Sequence, residues 1–364
     1  MAKSKKKGDK KKEDKMTNKN TRSVARKGAN KYGHKAKKNK ADEWITFRSD
    51  IEKELKHYKK HFKNKIVLCN CDDPRISGFF HYFAYNFEHL GLKKLITTCY
   101  KNQQMELFSE NKSEKAIYLE YTGDKNNNKI PDPEEIGIKN LTGDGDFRSK
   151  ECIELLKEAD IVVTNPPFSL YREYISQLAQ YKKKFLIIGQ LDVISYKEVF
   201  RLLQDDKIWV GINRNRDFKG FIIPKHYTLH GTEAFTDEDG NRVAKSNKNL
   251  WLTNLDNVTR HEELILYKKY KKSEYPTYEN YDAIEVSQVK NIPIDYEGLM
   301  GVPISFVHKY NPKQFEIVWT TDRGGDGMLE NYKKKHARFD APVVISDGKE
   351  VGLYTRILIR HKKT

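Results

Sequence analysis

The first regular pattern along the chain is a set of apolar residues at helical spacing. They are Trp44, Phe47, Ile51, Leu55, Tyr58 and Phe62, separated by 3, 4, 4, 3 and 4 positions. That spacing places all six on one face of an amphipathic helix. A second stripe, over 79–90, is followed by Gly91, where a helix C-cap belongs. The sequence therefore predicts two helices before residue 92.

Short continuous apolar runs separate the helical segments, and such runs are typical of strands buried on both faces. The clearest predicted strands are 66–68, 95–98, 116–119, 161–164, 185–188 and 208–212. Helices are predicted at 149–157 and 170–180, and a third opens with a capping box at 195–198. This alternation predicts an α/β fold with a parallel sheet flanked by helices, whose ligands bind at the carboxyl ends of the strands.

The helical periodicity fades after about residue 217, where prolines, tyrosines and charged residues are interspersed. Two later segments still have the pattern of strands, 315–319 and 353–359, and the glycines of 324–327 indicate a flexible turn. Asp347-Gly348 predicts a hairpin turn rather than half of a nuclease acid-x-Lys motif. We therefore divide the chain into a tail at 1–40, a core at 41–216 and an irregular α+β region at 217–364 that packs on the sheet.

The charge is concentrated at one end of the chain. Lys and Arg number 68 against 51 Asp and Glu, and residues 1–40 hold 17 of the basic residues but 3 of the acidic ones. This Lys-rich tail has too few apolar residues to offset the entropy of ordering, so we expect it to be disordered. Such a tail could add salt-sensitive affinity for phosphates. A solubilising tail and a nuclear-type basic signal are the alternatives.

Composition argues against several classes of protein. No run of about 18 apolar residues is present, as a membrane-spanning helix would need, and no apolar core follows the cationic start as in a secretory signal. Four cysteines in 364 residues do not suggest a disulfide framework, and Cys69-x-Cys71 has no second cysteine pair to complete a zinc site. We expect a cytoplasmic protein without a metal.

One tetrapeptide carries distinctive chemistry. Asn165-Pro166-Pro167-Phe168 follows the predicted strand 161–164 and precedes a predicted helix. The prolines fix φ and remove two N–H donors, and Asn165 is pushed towards an extended conformation. The resulting stiff corner offers carbonyl acceptors, one amide and one aromatic ring, which suits a flat substrate with an NH2 group. The alternative is a plain helix-entry turn, because proline favours the first helical position.

An adenine N6 amine would be such a substrate, although its lone pair is delocalised into the ring and it is a poor nucleophile. The Asn165 side-chain oxygen and the Pro166 carbonyl could each accept one amine hydrogen, while Phe168 stacks on the ring. These acceptors would favour a pyramidal nitrogen whose lone pair points at an electrophilic methyl group. Because the nitrogen becomes positive during attack, the acceptors would bind the transition state more strongly than the ground state.

The tetrapeptide resembles the D/N-P-P-Y/F signature of S-adenosylmethionine-dependent amino methyltransferases, and the wider sequence is similar to the EcoRI-type adenine-specific DNA methyltransferase family. The similar segments begin LCNCDDPRISGFF, GDGDFRSKECIEL, FLIIGQLDV and MGVPISFVHK, and the tail lies outside them. The resemblance implies a Rossmann-like methyltransferase sheet flanked by helices, with 217–364 as the target-recognition region. It also implies a site-specific DNA adenine N6-methyltransferase of a restriction-modification or orphan modification system.

The resemblance further implies roles for individual residues. Asn165–Phe168 would form the target-amine site. Asp146 would accept a hydrogen bond from the adenine amine of S-adenosyl-L-methionine, and Phe147 would stack on the adenine ring. The cofactor loop after the first strand would comprise Cys71, Asp72, Asp73 and Pro74.

The cofactor loop departs from the broader methyltransferase pattern. Most such enzymes have a glycine-rich turn there, whereas this chain has no glycine until Gly78. The acid usually found after the second strand is also missing, because Cys99 and Tyr100 occupy its place.

Double-stranded DNA is the expected substrate, with the target adenine flipped out of the duplex. Contacts with the DNA grooves would come from the second region and from the residues just before it. The candidates are Arg214, Arg216, Lys219 and Lys225. An ordinary solvated surface is the alternative for each of them. A cognate restriction endonuclease is a candidate genetic partner, and no obligate protein partner is implied.

Two other functions stay open from the sequence. The same tetrapeptide chemistry could act on an RNA adenine or on a protein glutamine amide, since both present an NH2 group. A non-enzymatic alternative is a basic-tailed nucleic-acid-binding protein with a relic fold.

Overall fold

The computed structural model describes residues 44–71, 76–99, 116–128, 131, 135–224, 233–245, 247–321 and 341–362. The predictions for the tail at 1–40, for Asp72, Asp73 and Pro74, for Lys225 and for the turn at 324–327 fall outside these residues. Within the described ranges, no helix is both long enough and apolar enough to cross a membrane.

The described residues form 18 strands and six α-helices. The strands are β1 (Ile45–Thr46), β2 (Ile66–Asn70), β3 (Lys94–Thr98), β4 (Ile117–Tyr121), β5 (Gly137–Asn140), β6 (Ile161–Thr164), β7 (Lys184–Gln190), β8 (Trp209–Arg214), β9 (Phe221–Ile222), β10 (Glu233–Thr236), β11 (Arg242–Lys245), β12 (Asn249–Thr253), β13 (Ile284–Glu285), β14 (Met300–Pro303), β15 (Phe315–Thr320), β16 (Val343–Ser346), β17 (Lys349–Gly352) and β18 (Arg356–His361). The helices are α1 (Arg48–Leu55), α2 (Gly78–Tyr85), α3 (Phe87–Leu90), α4 (Lys150–Glu158), α5 (Tyr171–Gln180) and α6 (Lys197–Gln204).

Eight strands form the main sheet, in the order β5-β4-β3-β2-β6-β7-β12-β8. β2 pairs in parallel with both β3 and β6, and β6 pairs in parallel with β7. β4 runs antiparallel to β3 and β5, and β12 runs antiparallel to β7 and β8. The prediction of parallel strands is therefore confirmed for β2, β3, β6 and β7 and wrong for β4 and β12, which run opposite to them. The edge strands β5 and β8 run in the same direction as the central strands, each separated from them by one reversed strand. A continuous apolar run shows that a strand is buried on both faces, but not in which direction it runs.

Helices and their apolar faces cover both sides of the main sheet. On β6, Val162 joins a core that includes residues of α4, α5 and α6, whereas Val163 joins a core with residues of α1, α2 and α3. β7 alternates in the same way, with Leu186 on the second side and Ile187 on the first. This period of two places a hydrophobic layer on each face, so the molecule has a mixed α/β fold.

Three predicted helices differ in detail from the structure. The helix predicted over 79–90 is divided into α2 and α3. α1 ends at Leu55, before the end of the predicted stripe, yet Tyr58 and Phe62 are still fully buried because the turn that follows keeps them on the same side. The predicted capping box at 195–198 is wrong: Ser195 ends a 3-10 turn, and α6 begins after Tyr196 without a side-chain cap. The 3-10 turn at 191–195 leads the chain into α6, so α6 begins there without a capping side chain.

The described part of 217–364 contains strands and 3-10 turns but no α-helix, so the α component of the predicted α+β region is not found there. β12, from this region, lies inside the main sheet between β7 and β8. β13, β14, β18 and β15 form a second sheet, and β1, β9, β11 and β10 form a third. Asp347 and Gly348, with φ of 51° and 70°, join β16 to β17 and confirm the predicted hairpin.

Candidate active site

The tetrapeptide forms a sharp corner at the carboxyl end of β6. β6 ends at Thr164, the corner follows, and Pro167 has φ −61° and ψ 121°, an extended conformation. A 3-10 turn at Phe168–Leu170 comes next, and α5 begins at Tyr171. Neither proline therefore occupies the first position of the α-helix, which argues against a plain helix-entry turn as the reason for the two prolines.

Of the two polar atoms of the Asn165 side chain, only the nitrogen has a hydrogen-bond partner among the described residues. The residue is 6% exposed, and its Nδ2 donates a hydrogen bond to the Trp44 carbonyl at 2.6 Å. Its Oδ1 is buried and has no hydrogen-bond partner among the described residues. A buried acceptor without a partner costs roughly 1–3 kcal/mol. An arrangement that leaves this oxygen open is expected where a ligand supplies the missing donor.

Aromatic rings surround the other end of the corner. The half-buried ring of Phe168 lies 5.8 Å from the Trp44 ring and 6.2 Å from the Phe221 ring, measured between centroids. The interplanar angles are 89° and 75°, so neither ring is stacked flat on Phe168. Trp44 and Phe221 also contact each other at 5.5 Å. We call Trp44, Phe168 and Phe221 the aromatic cluster.

The end of β2 is hydrogen-bonded to residues on both sides of the corner. The Thr164 hydroxyl donates to the Asn70 carbonyl, and the Tyr174 hydroxyl donates to the Asn70 side-chain oxygen at 2.5 Å. Both Asn70 and Tyr174 are buried, and burial raises the pKa of Tyr174 well above its usual value, so its hydroxyl keeps its proton. These bonds fix the end of β2 relative to the end of β6.

Cys71, the residue after β2, has an unusual backbone conformation. Its φ is 79°, in the left-handed region that glycine adopts without strain. The chain thus makes here, with a cysteine, a turn whose backbone conformation favours glycine. Of the predicted cofactor loop, only Cys71 lies within the described residues.

The segment with Asp146 and Phe147 lies against the ends of the same strands. Gly145 has φ 76°, and a Cβ at this position would collide with the Cys99 carbonyl after β3. The buried Phe147 ring packs edge-on against Tyr174 at 5.0 Å. Glycine therefore permits a close approach that brings this segment to the carboxyl edge of the sheet.

Arg148 holds the Asp146 carboxylate. The Arg148 backbone N–H and Nε donate to Asp146 Oδ1 at 2.8 and 2.9 Å, and one Arg148 terminal nitrogen donates to Oδ2 at 2.7 Å. These bonds lower the pKa of Asp146 below its ordinary value, despite partial burial. A carboxylate oxygen can accept about two hydrogen bonds, so Oδ2 keeps acceptor capacity for a ligand donor.

The structure brings the two described parts of the predicted cofactor site together. Phe147 contacts the Tyr174 ring, and Cys71 packs against the hydrophobic core to which Phe147 and Tyr174 belong. Thr164, next to Asn165, is bonded to the same strand end through Asn70. The predicted catalytic corner and the predicted cofactor residues therefore share one edge of the sheet.

The predicted DNA-contacting residues differ in how exposed their side chains are and in whether those side chains contact other parts of the protein. Arg214, at the end of β8, donates to the His308 carbonyl at 3.2 Å and is half-buried. Arg216 is exposed. Lys219 is exposed as well, and its ammonium group lies 4.4 Å from the centroid of the Phe47 ring. Arg214 thus ties the sheet to the second region, whereas the other two present charge to solvent.

Sequence reasoning missed four residues of this site: Trp44, Asn70, Tyr174 and Phe221. Trp44 fits the helical stripe of the first helix, and its position in front of that helix hides its contact with Asn165. Asn70 and Tyr174 follow no motif, but the position of Asn70 two residues after a predicted strand was a usable signal. Nothing in the local sequence distinguishes Phe221 from its neighbours.

The comparisons with known proteins agree on one family. The model of the family described as "Adenine-specific methyltransferase EcoRI" matches residues 32–362. The chain is 54% identical over 297 residues to the type II methyltransferase M.EcoRI of Escherichia coli, covering 81% of this chain and 90% of that protein. It is 40% identical over 289 residues to the type II methyltransferase M.MgeORF184P of Mycoplasma genitalium, covering 78% and 84%.

A further relative has the same kind of name. The type II methyltransferase M.MpnI of Mycoplasma pneumoniae is 36% identical over 291 residues, covering 79% of this chain and 85% of that protein. No solved structure matches the chain.

Proposed function

The chain belongs to the EcoRI adenine-specific methyltransferase family, and on that premise we propose how its residues methylate the N6 amine of a specific adenine in double-stranded DNA. It is an adenine-specific DNA methyltransferase of a restriction-modification system, as the family and the three type II relatives indicate.

One observation carries the assignment of the catalytic corner: the buried Oδ1 of Asn165 has no donor among the described residues. An exocyclic amine has two hydrogens to donate. Asn165 Oδ1 accepts one, the Pro166 carbonyl accepts the other, and Phe168 stacks on the purine ring. Because both acceptors bind a nitrogen that becomes positive, they lower the barrier to attack rather than only holding the substrate.

The order of strands supports a Rossmann-like methyltransferase sheet. Along the sheet, β3 lies on one side of β2 and β6 lies on the other, so the chain reverses its direction of winding between β2 and β6. Ligands of such sheets bind in the crevice at that reversal. Asn70 and Cys71 follow one of these strands, and Thr164 and Asn165 follow the other.

S-adenosyl-L-methionine fits the donor set at this crevice. The carboxylate of Asp146, kept ionised by Arg148, accepts from an adenine amine through Oδ2. Phe147 lines the adenine site, and Cys71 turns the backbone at the place where the cofactor loop begins. When bound, the cofactor would supply a methyl group on a sulfonium sulfur. That sulfur would keep the electron pair of the broken bond, the adenine nitrogen would form the new bond, and the methylated nitrogen would then lose one of its two protons to water.

Access to the amine requires the adenine to leave the duplex, since a stacked base cannot enter a corner between two strand ends. We assign the reading of the surrounding sequence to 217–364, together with Arg214, Arg216, Lys219 and Lys225. A cognate endonuclease would cleave the same site when it is unmethylated. Because the substrate is the cell's own DNA, we propose that the enzyme acts in the cytoplasm.

The test is transfer of a tritiated methyl group from S-adenosyl-L-methionine to duplex DNA, RNA and total protein in parallel, followed by sequencing of the DNA with detection of modified adenines. We expect label in DNA alone, at one short recurring sequence. Label confined to RNA or to protein glutamine would replace this proposal with one of the two alternatives. Absence of transfer to any of the three would reject the proposed chemistry.

A further inference from the structure

We propose that Trp44 is a positioning residue that determines which end of the Asn165 amide faces the substrate. The proposal rests on the function assigned to Asn165 above. Its basis is the hydrogen bond from Asn165 Nδ2 to the Trp44 carbonyl at 2.6 Å, together with the unpartnered Oδ1 at the other end of the same amide.

The chemistry of the contact fixes the orientation of the amide. A backbone carbonyl only accepts hydrogen bonds, so the atom facing it must be the NH2 group of Asn165 and never the oxygen. The oxygen is thereby forced to the opposite side, where it is available to a donor. A free asparagine would present donor and acceptor ends with similar ease, and half of those orientations would repel an amine.

The side chain of Trp44 keeps its own carbonyl in place. Its ring contacts Phe168 at 5.8 Å and Phe221 at 5.5 Å, so the residue that orients the acceptor also packs against the stacking ring. The next two residues form β1, which pairs with β9 through Ile45 and Ile222 and through Thr46 and Phe221. Trp44 is therefore held in place both by the packing of its ring and by the strand pairing of the two residues that follow it.

The same contact explains why asparagine rather than aspartate occupies position 165. A carboxylate has no donor for the Trp44 carbonyl, so Asn165→Asp places two acceptors against each other in a site that is 6% exposed. Repulsion and burial raise the pKa of the introduced carboxyl. Once protonated, that group donates to the Trp44 carbonyl with one oxygen and accepts from the substrate with the other, which restores the arrangement of the amide.

The decisive experiment is the pH dependence of turnover for Asn165→Asp relative to the wild-type enzyme, at saturating cofactor and DNA. At neutral pH we expect turnover to be lower by about 10²-fold or more. As the pH is lowered, the turnover of the variant divided by that of wild type should rise by about tenfold per pH unit. The reason is that the protonated fraction of the introduced carboxyl rises by the same factor, until the group is fully protonated. A ratio that stays flat with pH, or full activity at neutral pH, would overturn the proposal.

A second set of variants tests Trp44 itself and does not depend on the folding of the first variant. Trp44→Ala should lower kcat by about tenfold or more, with little change in the KM for S-adenosyl-L-methionine, because the acceptor is misplaced but the cofactor residues are not. Trp44→Phe, which keeps a ring against Phe168, should recover most of the loss. Trp209→Ala, which removes an indole packed against the Arg260 side chain instead, is the matched control and should leave kcat near wild type.

The outcomes separate this inference from the proposed function. If the wild-type enzyme methylates DNA adenine but Asn165→Asp shows no acid recovery, or Trp44→Ala has normal kcat, Trp44 does not orient Asn165. If the wild-type enzyme itself transfers no methyl group to DNA, the proposed function fails before this question arises.

Discussion

The hydroxyl of Tyr174 donates to the side-chain oxygen of Asn70 at 2.5 Å, joining residues that are 104 positions apart in the chain. Tyr174 lies in α5, directly after the catalytic corner, and Asn70 is the last residue of β2, directly before Cys71. The bond therefore spans the two halves of the site, the part assigned to the target amine and the part assigned to the cofactor. A polar contact in a fully buried position is expected to define this distance more sharply than apolar packing would.

We predict that Tyr174→Phe lowers the free energy of unfolding by about 1–3 kcal/mol, because the buried side-chain oxygen of Asn70 loses its donor. The KM for S-adenosyl-L-methionine should rise as well, because the turn at Cys71 is less well fixed. Urea unfolding and initial-rate kinetics measure the two effects.

Tyr171→Phe is the matched control for this prediction. Tyr171 begins the same helix and is equally buried, but its hydroxyl has no hydrogen-bond partner among the described residues. Its removal should leave stability unchanged or raise it slightly. Equal losses for the two variants would show that the hydroxyl of Tyr174 contributes nothing specific.

The backbone at Cys71 leads to a second prediction: a glycine variant should be more stable than an alanine variant, the reverse of the usual order of stability. In regular structure, glycine is less stable than alanine by roughly 0.5–1 kcal/mol. At Cys71, with φ 79°, a Cβ is strained by about 1–2 kcal/mol. Cys71→Gly should therefore be more stable than Cys71→Ala by about 1 kcal/mol in urea unfolding. Both variants lose the thiol, so their difference reports the backbone alone, and a more stable alanine variant would contradict the left-handed turn.

Asp146 provides a prediction for pH. Arg148 lowers the folded-state pKa of Asp146 below the ordinary value of 3.8, so its stabilising contribution is complete above that value and is lost as the pH falls through the lowered pKa. Because Arg148 is half exposed, we expect Asp146→Asn to be less stable than wild type by only about 1 kcal/mol at pH 7. The difference should shrink as the pH falls below 3.8 and through the lowered pKa. Urea unfolding at pH 7, 4 and 3 measures it, and a difference that grows in acid would contradict the ion pair.

The sequence predicted the features of the site that depend on local chemistry. The strand 161–164 and the corner after it were found because a β-branched run and two prolines restrict the backbone without help from the rest of the molecule. Ser149 caps α4 as expected, accepting from the Cys152 N–H at 3.3 Å. The turn at Asp347-Gly348 was found for the same reason, since its backbone needs two positive φ values.

The features that were missed depend on contacts between distant parts of the chain. The antiparallel direction of β12 follows from its insertion between β7 and β8, which no local pattern records. Trp44 meets Asn165 across 121 positions, and an apolar stripe cannot reveal that the functional atom is its carbonyl. Cys71 was expected only as part of a loop, because a cysteine gives no sign of a left-handed backbone.

The corner itself yields the most direct prediction. Asn165→Ala removes the acceptor that faces the amine but leaves both prolines, Phe168 and the cofactor residues in place. Loss of one positioned polar group that acts in the transition state costs about 10²–10³ in rate, so kcat should fall by that factor. The Kd for S-adenosyl-L-methionine, measured by calorimetry, should stay near wild type, since no assigned cofactor contact involves Asn165. Near-normal turnover would show that the open oxygen is not used in catalysis, whereas loss of cofactor binding together with turnover would assign Asn165 to the cofactor site instead.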